Sequence, residues 1–132
     1  YRATAHIDFA RKYFKDGLNA TTLSRAPSLC FNAKDTLQSR WAQMVTGRRI
    51  ILPMHRIPSS QGFVTATRLG LGWAMNPEIM IRDDLAERRL MDLKPALPLD
   101  VPLFWQVSRL TARAIAPLTD AIRKTAGTAL LP

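Results

Sequence analysis

The stretch "PSSQGFVTATRLGLGWAMNPE", from Pro58 to Glu78, carries three structural transitions in one short run. Ser59 and Ser60 follow a proline, and their hydroxyls suit the free N–H groups of a helix start, so a helix is predicted from near Ser59 to about Leu69. Gly70-Leu-Gly72 then reads as a helix C-cap and a tight turn into a short buried strand around Trp73 to Met75. Asn76-Pro77 reads as the next helix start, with Asn as cap and Pro in the first helical position. Such a helix-strand-helix run can be a ligand-binding edge, the seat of a catalytic serine, or a plain connection.

Outward from this run the same alternation continues. Upstream, Arg2 to Ala5 is predicted as a strand, and Phe9, Tyr13 and Phe14 share one side of a helix that Gly17 ends. Ser28 to Phe31 reads as a buried strand. Asp35 opens another helix, with Gln38 completing a capping box. Leu37, Trp41, Met44 and Val45 make its apolar stripe, and Gly47 stops it. "RRIILPMHRI", Arg48 to Ile57, follows as a strand whose Pro53 marks an edge or a bulge.

Downstream, the Pro77 helix runs to about Arg88, and Leu90 to Leu93 is extended. Leu99, Val101, Leu103, Trp105 and Val107 alternate strictly with their neighbours, the strongest strand signal in the chain. A last helix puts Ile115, Leu118, Ala121, Ile122 and Thr125 on one face, with Pro117 either kinking it or lying in its first turn. Alternation of this kind means an α/β domain with a mainly parallel sheet. In such sheets ligands meet the carboxyl ends of strands beside helix N-termini. That rule singles out Asn32 to Asp35 and Pro58 to Gln61.

Composition narrows the chemistry. The net charge is +9, but the cations are spread along the whole chain in nothing larger than pairs, which reads as solvated faces. The single cysteine, Cys30, sits in an apolar context and reads as a buried small residue; it excludes an internal disulfide. No apolar run approaches the length of a membrane span. Two isolated histidines, His6 and His55, show no metal-ligand spacing with Cys30, so no metal is expected. Ser60 lacks the first glycine of a nucleophile elbow, Pro58 standing there instead, so no catalytic residue is assigned. Gly70-Leu-Gly72 follows a helix and is too short for a dinucleotide fingerprint, and no cofactor is expected.

Binding remains. Ser59 and Ser60 at a helix start suit a carboxylate, and Asp35 suits an ammonium. The same residues are good helix caps, and local chemistry leaves both roles open. A small zwitterion would need both edges facing one cleft.

The opening stretch, taken whole, resembles LysR-type transcriptional regulators, in which a helix ending in Gly-Leu-Gly leads into a strand and a proline-started helix. "LCFNAKDTLQSRW", Leu29 to Trp41, and "LPLDVPLFWQ", Leu97 to Gln106, resemble the subgroup that controls lysine and arginine export. The resemblance implies a type 2 periplasmic-binding-protein-like lobe with a mainly parallel sheet, part of a two-lobed effector domain. It places the second lobe at residues 1–105 and the return segment and C-terminal helix of the first lobe at 106–132. With Tyr1 in place of an initiating Met, the expectation is a fragment lacking the N-terminal helix-turn-helix and most of the first lobe.

The resemblance further implies a cytoplasmic, non-enzymatic homodimer or homotetramer. It would bind DNA through its N-terminal domain, have no membrane association, and sense a basic amino acid between its lobes. Effector contacts would come from Asn32 and Asp35 at one strand end and Ser59, Ser60 and Gln61 at the other, with Trp73 as a wall. Ala33 and Gln61 depart from the pattern, which favours a long basic and an acidic residue at those positions. The alternatives are a solute-binding protein of the same fold, or a LysR-type regulator with a different small effector.

Overall fold

The computed structural model describes residues 1–130, which separate into two units, Tyr1–Val101 and the segment from Pro102 onward. In the first unit the elements are β1 (Arg2–His6), α1 (Ile7–Tyr13), α2 (Ala20–Leu23), β2 (Ser28–Cys30), α3 (Leu37–Thr46), β3 (Met54–Arg56), α4 (Ser60–Arg68), β4 (Ala74–Asn76), α5 (Glu78–Ala86) and β5 (Leu90–Asp92). The second unit contains α6 (Ala116–Ala129).

Strand β1 pairs antiparallel with β4 on one side and β5 on the other, Thr4 standing opposite both Ala74 and Asp92. Strands β2 and β3 pair in parallel, Leu29 opposite His55. A parallel bridge between Ser28 and Trp73 joins these two sheets. It rests on Leu29 N–H donating to Trp73 O at 2.8 Å and Trp73 N–H donating to Pro27 O at 3.0 Å. The spatial order is therefore β3-β2-β4-β1-β5. β2, β3, β4 and β5 point one way, and β1 runs against them.

The α/β class holds, but the expected mainly parallel sheet is a mixed one, because hydrophobic patterning locates strands without fixing their direction. The first strand of the chain slots between β4 and β5 with opposite polarity.

Side chains alternate across the sheet as the pleat requires. Ala3, Ala5, Trp73 and Met75 face a core shared with Phe9, Leu23 and Trp41. Ala74 faces the other side and packs with Leu29, Phe63 and Ala66. Helix α3 follows from its stripe: Trp41 is fully buried and Leu37 and Val45 pack against the core, while Met44 is largely exposed. Helix α1 places Phe9 against Tyr13 with ring centroids 4.5 Å apart.

The Gly-Leu-Gly element acts as two devices. Gly70, at φ 72°, is the left-handed residue of a complete Schellman motif. In it Gly70 N–H bonds Thr67 O and Leu71 N–H bonds Ala66 O, each at 3.0 Å. Gly72 allows the close approach behind the bridge, since a Cβ there would lie 2.8 Å from Pro27 O and 2.9 Å from Leu29 Cδ2.

Several expectations change. Asp35 does not complete a backbone capping box with Gln38. Helix α3 starts two residues later, at Leu37, and the Gln38 amide donates to the Asp35 carboxylate instead. Asn76 is not a helix cap; it is the fully buried last residue of β4, and Pro77 takes the cap position. Helix α2 was not foreseen; its short stretch is closed by a capping box of Asn19 and Thr22. The strand expected over 99–107 is absent. Leu99 alone buries its side chain and pairs its N–H with Tyr1 O at 3.0 Å, whereas Leu103 and Phe104 are 70% and 80% exposed. Period-two alternation makes a strand only where a neighbour offers backbone partners. In the second unit Pro117 lies in the first turn of α6, and that helix has no buried residue.

The C-terminal half of the first unit is clasped by Asp84, whose side chain is 1% exposed. Arg68 donates to both its oxygens, at 2.8 and 2.7 Å, and Arg89 Nε donates at 2.7 Å, tying α4, α5 and the approach to β5 together. Burial works to raise the Asp84 pKa, but the hydrogen bonds and charges of the two arginines outweigh it and hold the carboxyl below its usual value.

Two outcomes are expected in denaturation experiments. Gly72→Ala lowers stability by about 1–3 kcal/mol because the added methyl meets backbone. Asp84→Asn costs about 2 kcal/mol near neutral pH, kept modest by the half-exposed arginines. A carboxyl depressed in the folded state contributes stability that is complete above about pH 4 and lost as pH falls through the lower folded value. Acid melts should therefore converge for wild type and Asp84→Asn below that window.

Candidate functional site

The shared direction of β2, β3 and β4 brings their carboxyl ends to one edge of the sheet, and the reversed β1 brings its start, Tyr1, to the same edge. A cavity of about 170 Å³ opens there. Tyr1, Phe31, Leu37, Phe63 and Met80 give it apolar walls; Asp35, Ser60 and Asn76 are its polar side chains.

Asp35 sits in the turn between β2 and α3, and the local chain shapes itself around its carboxylate. Oδ2 accepts from Phe31 N–H at 2.8 Å and from the Gln38 amide at 3.3 Å, and Oδ1 accepts from Leu37 N–H at 3.1 Å. All three donors are neutral. Among the described residues no cation forms an ion pair with Asp35, so a fixed negative charge stands at the cavity. Asn32 serves the same turn, its Oδ1 accepting from Lys34 N–H at 2.8 Å; it is exposed and outside the cavity wall.

Ser59 and Ser60 separate into two roles. Ser59 is the N-cap of α4, its hydroxyl oxygen accepting from Gly62 N–H at 3.1 Å. Ser60 begins the helix, lines the cavity and leaves its hydroxyl without a partner among the described residues. The N–H groups of Ser60 and Gln61 are also unpaired there, as expected for a first turn. The Gln61 side chain is exposed and outside the wall. Trp73 is corrected from wall to core: it is fully buried and tilted against Trp41 at 5.2 Å between ring centroids, because it stands on the α3 side before the start of β4, back from the carboxyl end where Met75 and Asn76 reach the cavity.

Asn76 was missed as a site residue. A short polar residue before proline is a helix-start signal, and only the sheet register shows it inside. Its Nδ2 donates to Thr4 Oγ1 at 3.0 Å and to Thr67 Oγ1 at 3.3 Å. Its Oδ1 is buried with no partner among the described residues. The usable sequence signal was its place at the carboxyl end of a strand, the same rule that selected Asp35 and Ser60.

The other reactive residue types are accounted for. Cys30 is buried at the end of β2, and burial, then the Asp35 charge, push its thiol pKa up against the opposing effect of Arg56, which disfavours the reactive thiolate form. His6 caps α1 by accepting from Asp8 N–H at 3.2 Å, and His55 is exposed on β3. Among the described residues no three His, Cys, Asp or Glu side chains gather as a metal site, and no helix is long and apolar enough to cross a membrane.

A fixed carboxylate, a helix N-terminus and an unpaired amide oxygen around an apolar-walled cavity suit a small zwitterion. Comparison with known proteins agrees with that architecture: the family model of the LysR substrate binding domain matches residues 4–127. The chain belongs to the LysR substrate-binding-domain family. Its fold is that of the type 2 periplasmic-binding-protein-like LysR effector domains.

The C-terminal domains of a LysR family protein from Agrobacterium tumefaciens superpose with a TM-score of 0.97 at 44% identity, over 99% of this chain and 63% of that one. Full-length LysG from Corynebacterium glutamicum, solved with bound effector Arg, matches with a TM-score of 0.84 at 34% identity, over 99% of this chain and 44% of that one. The HTH-type transcriptional regulator ArgP of Pseudomonas fluorescens strain Pf0-1 is 36% identical over 100% of this chain and 44% of its own length. The chain thus spans less than half the length of the curated LysR-type regulators it matches.

The division of labour between the two serines has a direct check. Ser59→Ala should lower stability by about 1 kcal/mol through loss of the cap. Ser60→Ala, at an exposed first-turn position, should change it by less than about 0.5 kcal/mol. Urea denaturation of both variants separates the capping serine from the one left free for a ligand.

Proposed function

We propose that this chain is the effector-sensing part of a LysR-type DNA-binding transcriptional regulator that responds to arginine or lysine and controls an amino-acid exporter. The observation that carries the reading is the Asp35 carboxylate, fixed by three neutral donors and without an ion pair among the described residues, in one cavity with the open N–H groups at the start of α4. Asp35 takes an ammonium or guanidinium, and the Ser60–Gln61 turn takes the carboxylate. The arginine held by the LysG relative supports the choice of ligand class.

The site binds without turning its ligand over. A cavity of about 170 Å³ is small beside the roughly 300–1,000 Å³ of an enclosed ligand site, as fits one side of a cleft that a second lobe completes. Residues 1–105 form the second lobe, and 106–132 return to the first. Ligand acts by its differential affinity for two lobe arrangements, and the change passes to an N-terminal DNA-binding domain in a cytoplasmic homodimer or homotetramer.

The second reading is a solute-binding protein of the same architecture. The upstream reading frame decides between them: a helix-turn-helix keeps the regulator, and a signal peptide replaces it.

The test uses the full-length protein with its upstream residues. Arginine or lysine at about 100 times its Kd should raise stability by roughly 2.7 kcal/mol. Asp35→Ala and Ser60→Ala should remove or sharply reduce the thermal shift. A panel of amino acids that leaves the melting curve unmoved would refute the basic-amino-acid assignment.

A further inference from the structure

The buried side chain of Asn76 has an uneven set of partners. Its amide nitrogen has two, Thr4 Oγ1 and Thr67 Oγ1, and its oxygen has none among the described residues. The orientation of the amide is dictated by Thr67. That hydroxyl donates to Phe63 O at 2.9 Å inside α4, so its one proton is spent and it can only accept from Asn76. Turning the amide over would set two acceptors against each other.

The oxygen is therefore held as a fixed acceptor on a fully buried residue that lines the cavity. A buried amide oxygen without a donor is costly. Of the three buried side-chain atoms left without a partner among the described residues, Gln38 Oε1, Trp73 Nε1 and Asn76 Oδ1, only the last belongs to a residue that lines the cavity. Asp35 supplies charge in the same cavity, but Asp35 is already engaged by three donors, whereas Asn76 Oδ1 has its full capacity open.

We infer that Asn76 is a specificity-determining residue whose Oδ1 accepts a hydrogen bond from an ammonium or guanidinium N–H of the effector, and that Thr67 is the positioning residue that keeps this oxygen, and not the amide N–H, presented to the ligand. The inference rests on the sensor reading above and adds the group that reads the ligand's donor. A ligand presenting an acceptor at that point meets the wrong face of a locked amide and is rejected. The lock passes through the body of the lobe, because Thr67 is on α4 and Thr4 on the central strand β1. The position of the reading atom is thus set by sheet and helix and not by a loop.

The test is isothermal titration of the full-length protein with L-arginine and L-lysine, using wild type, Asn76→Leu, Asn76→Asp and Thr67→Val, each first shown to melt cooperatively. Asn76→Leu should weaken the ligand that wild type binds by about 5- to 150-fold. Asn76→Asp keeps an acceptor at the same point but sets its second oxygen against Thr67 Oγ1, so it should bind more tightly than Asn76→Leu and no more tightly than wild type. Thr67→Val, of nearly the same shape, leaves Asn76 present but unlocks its amide, and should weaken binding less than Asn76→Leu. It should also narrow the preference for arginine or lysine over citrulline, which presents an oxygen in place of a guanidinium nitrogen.

Unchanged affinity in Asn76→Leu, or an equal loss in Asn76→Leu and Asn76→Asp, overturns the assignment of Asn76 while leaving the sensor reading intact. Were Asn76→Leu not to fold, a Thr67→Val protein with unchanged affinity and unchanged preference over citrulline would overturn it in the same way. A wild-type protein that binds neither amino acid overturns the sensor reading and this assignment with it.

Discussion

Two backbone hydrogen bonds, from Leu29 N–H to Trp73 O and from Trp73 N–H to Pro27 O, join what would otherwise be two small sheets. Everything at the cavity depends on that seam. Asp35 follows β2, Ser60 follows β3, and Asn76 ends β4; they converge only because the seam sets those three strands side by side and in one direction. The seam in turn depends on Gly72, where the space a side chain would need is filled by Pro27 O and Leu29. The Gly-Leu-Gly element thus shapes the site without touching it.

The three polar groups at the cavity differ in how they are held. The Asp35 charge is stabilised by donors from its own turn, so its position depends on a short stretch of chain. Ser60 borrows its orientation from the helix that Ser59 caps. Asn76 is held by residues far off in sequence, on β1 and α4. An amide braced by a strand and a helix cannot shift without disturbing the core. The cavity therefore combines a charge held within one turn with an amide oxygen held across the lobe.

The sequence signals that proved right are those whose chemistry is local. Ser59 as the cap of α4 and Gly70 as its left-handed C-terminus follow from the bonding of near neighbours. Asp35 also bonds near neighbours, but from two residues ahead of α3 and without the expected capping box. The signals that misled depend on partners far along the chain. Asn76 before Pro77 looked like a cap because nothing nearby shows that Thr4, 72 residues away, will receive its amide. Leu99 to Val107 has the alternation of a strand, but alternation does not provide a neighbour, and only Leu99 finds one, at Tyr1. The direction of β1 was hidden for the same reason: pairing polarity belongs to the assembled sheet and not to any segment of it.

Trp41 and Trp73 lie fully buried and tilted at 48° across 5.2 Å, on the face of the sheet turned away from Asn76. Two indoles so close and so inclined couple their strong far-ultraviolet transitions, and such a pair should contribute an exciton couplet to the circular dichroism of the first unit. Since neither ring lines the cavity, this signal follows the integrity of the α3 side of the core and not the occupancy of the cleft. The protein thus carries an internal optical gauge that distinguishes a variant with a damaged fold from one with a sound fold and a damaged site.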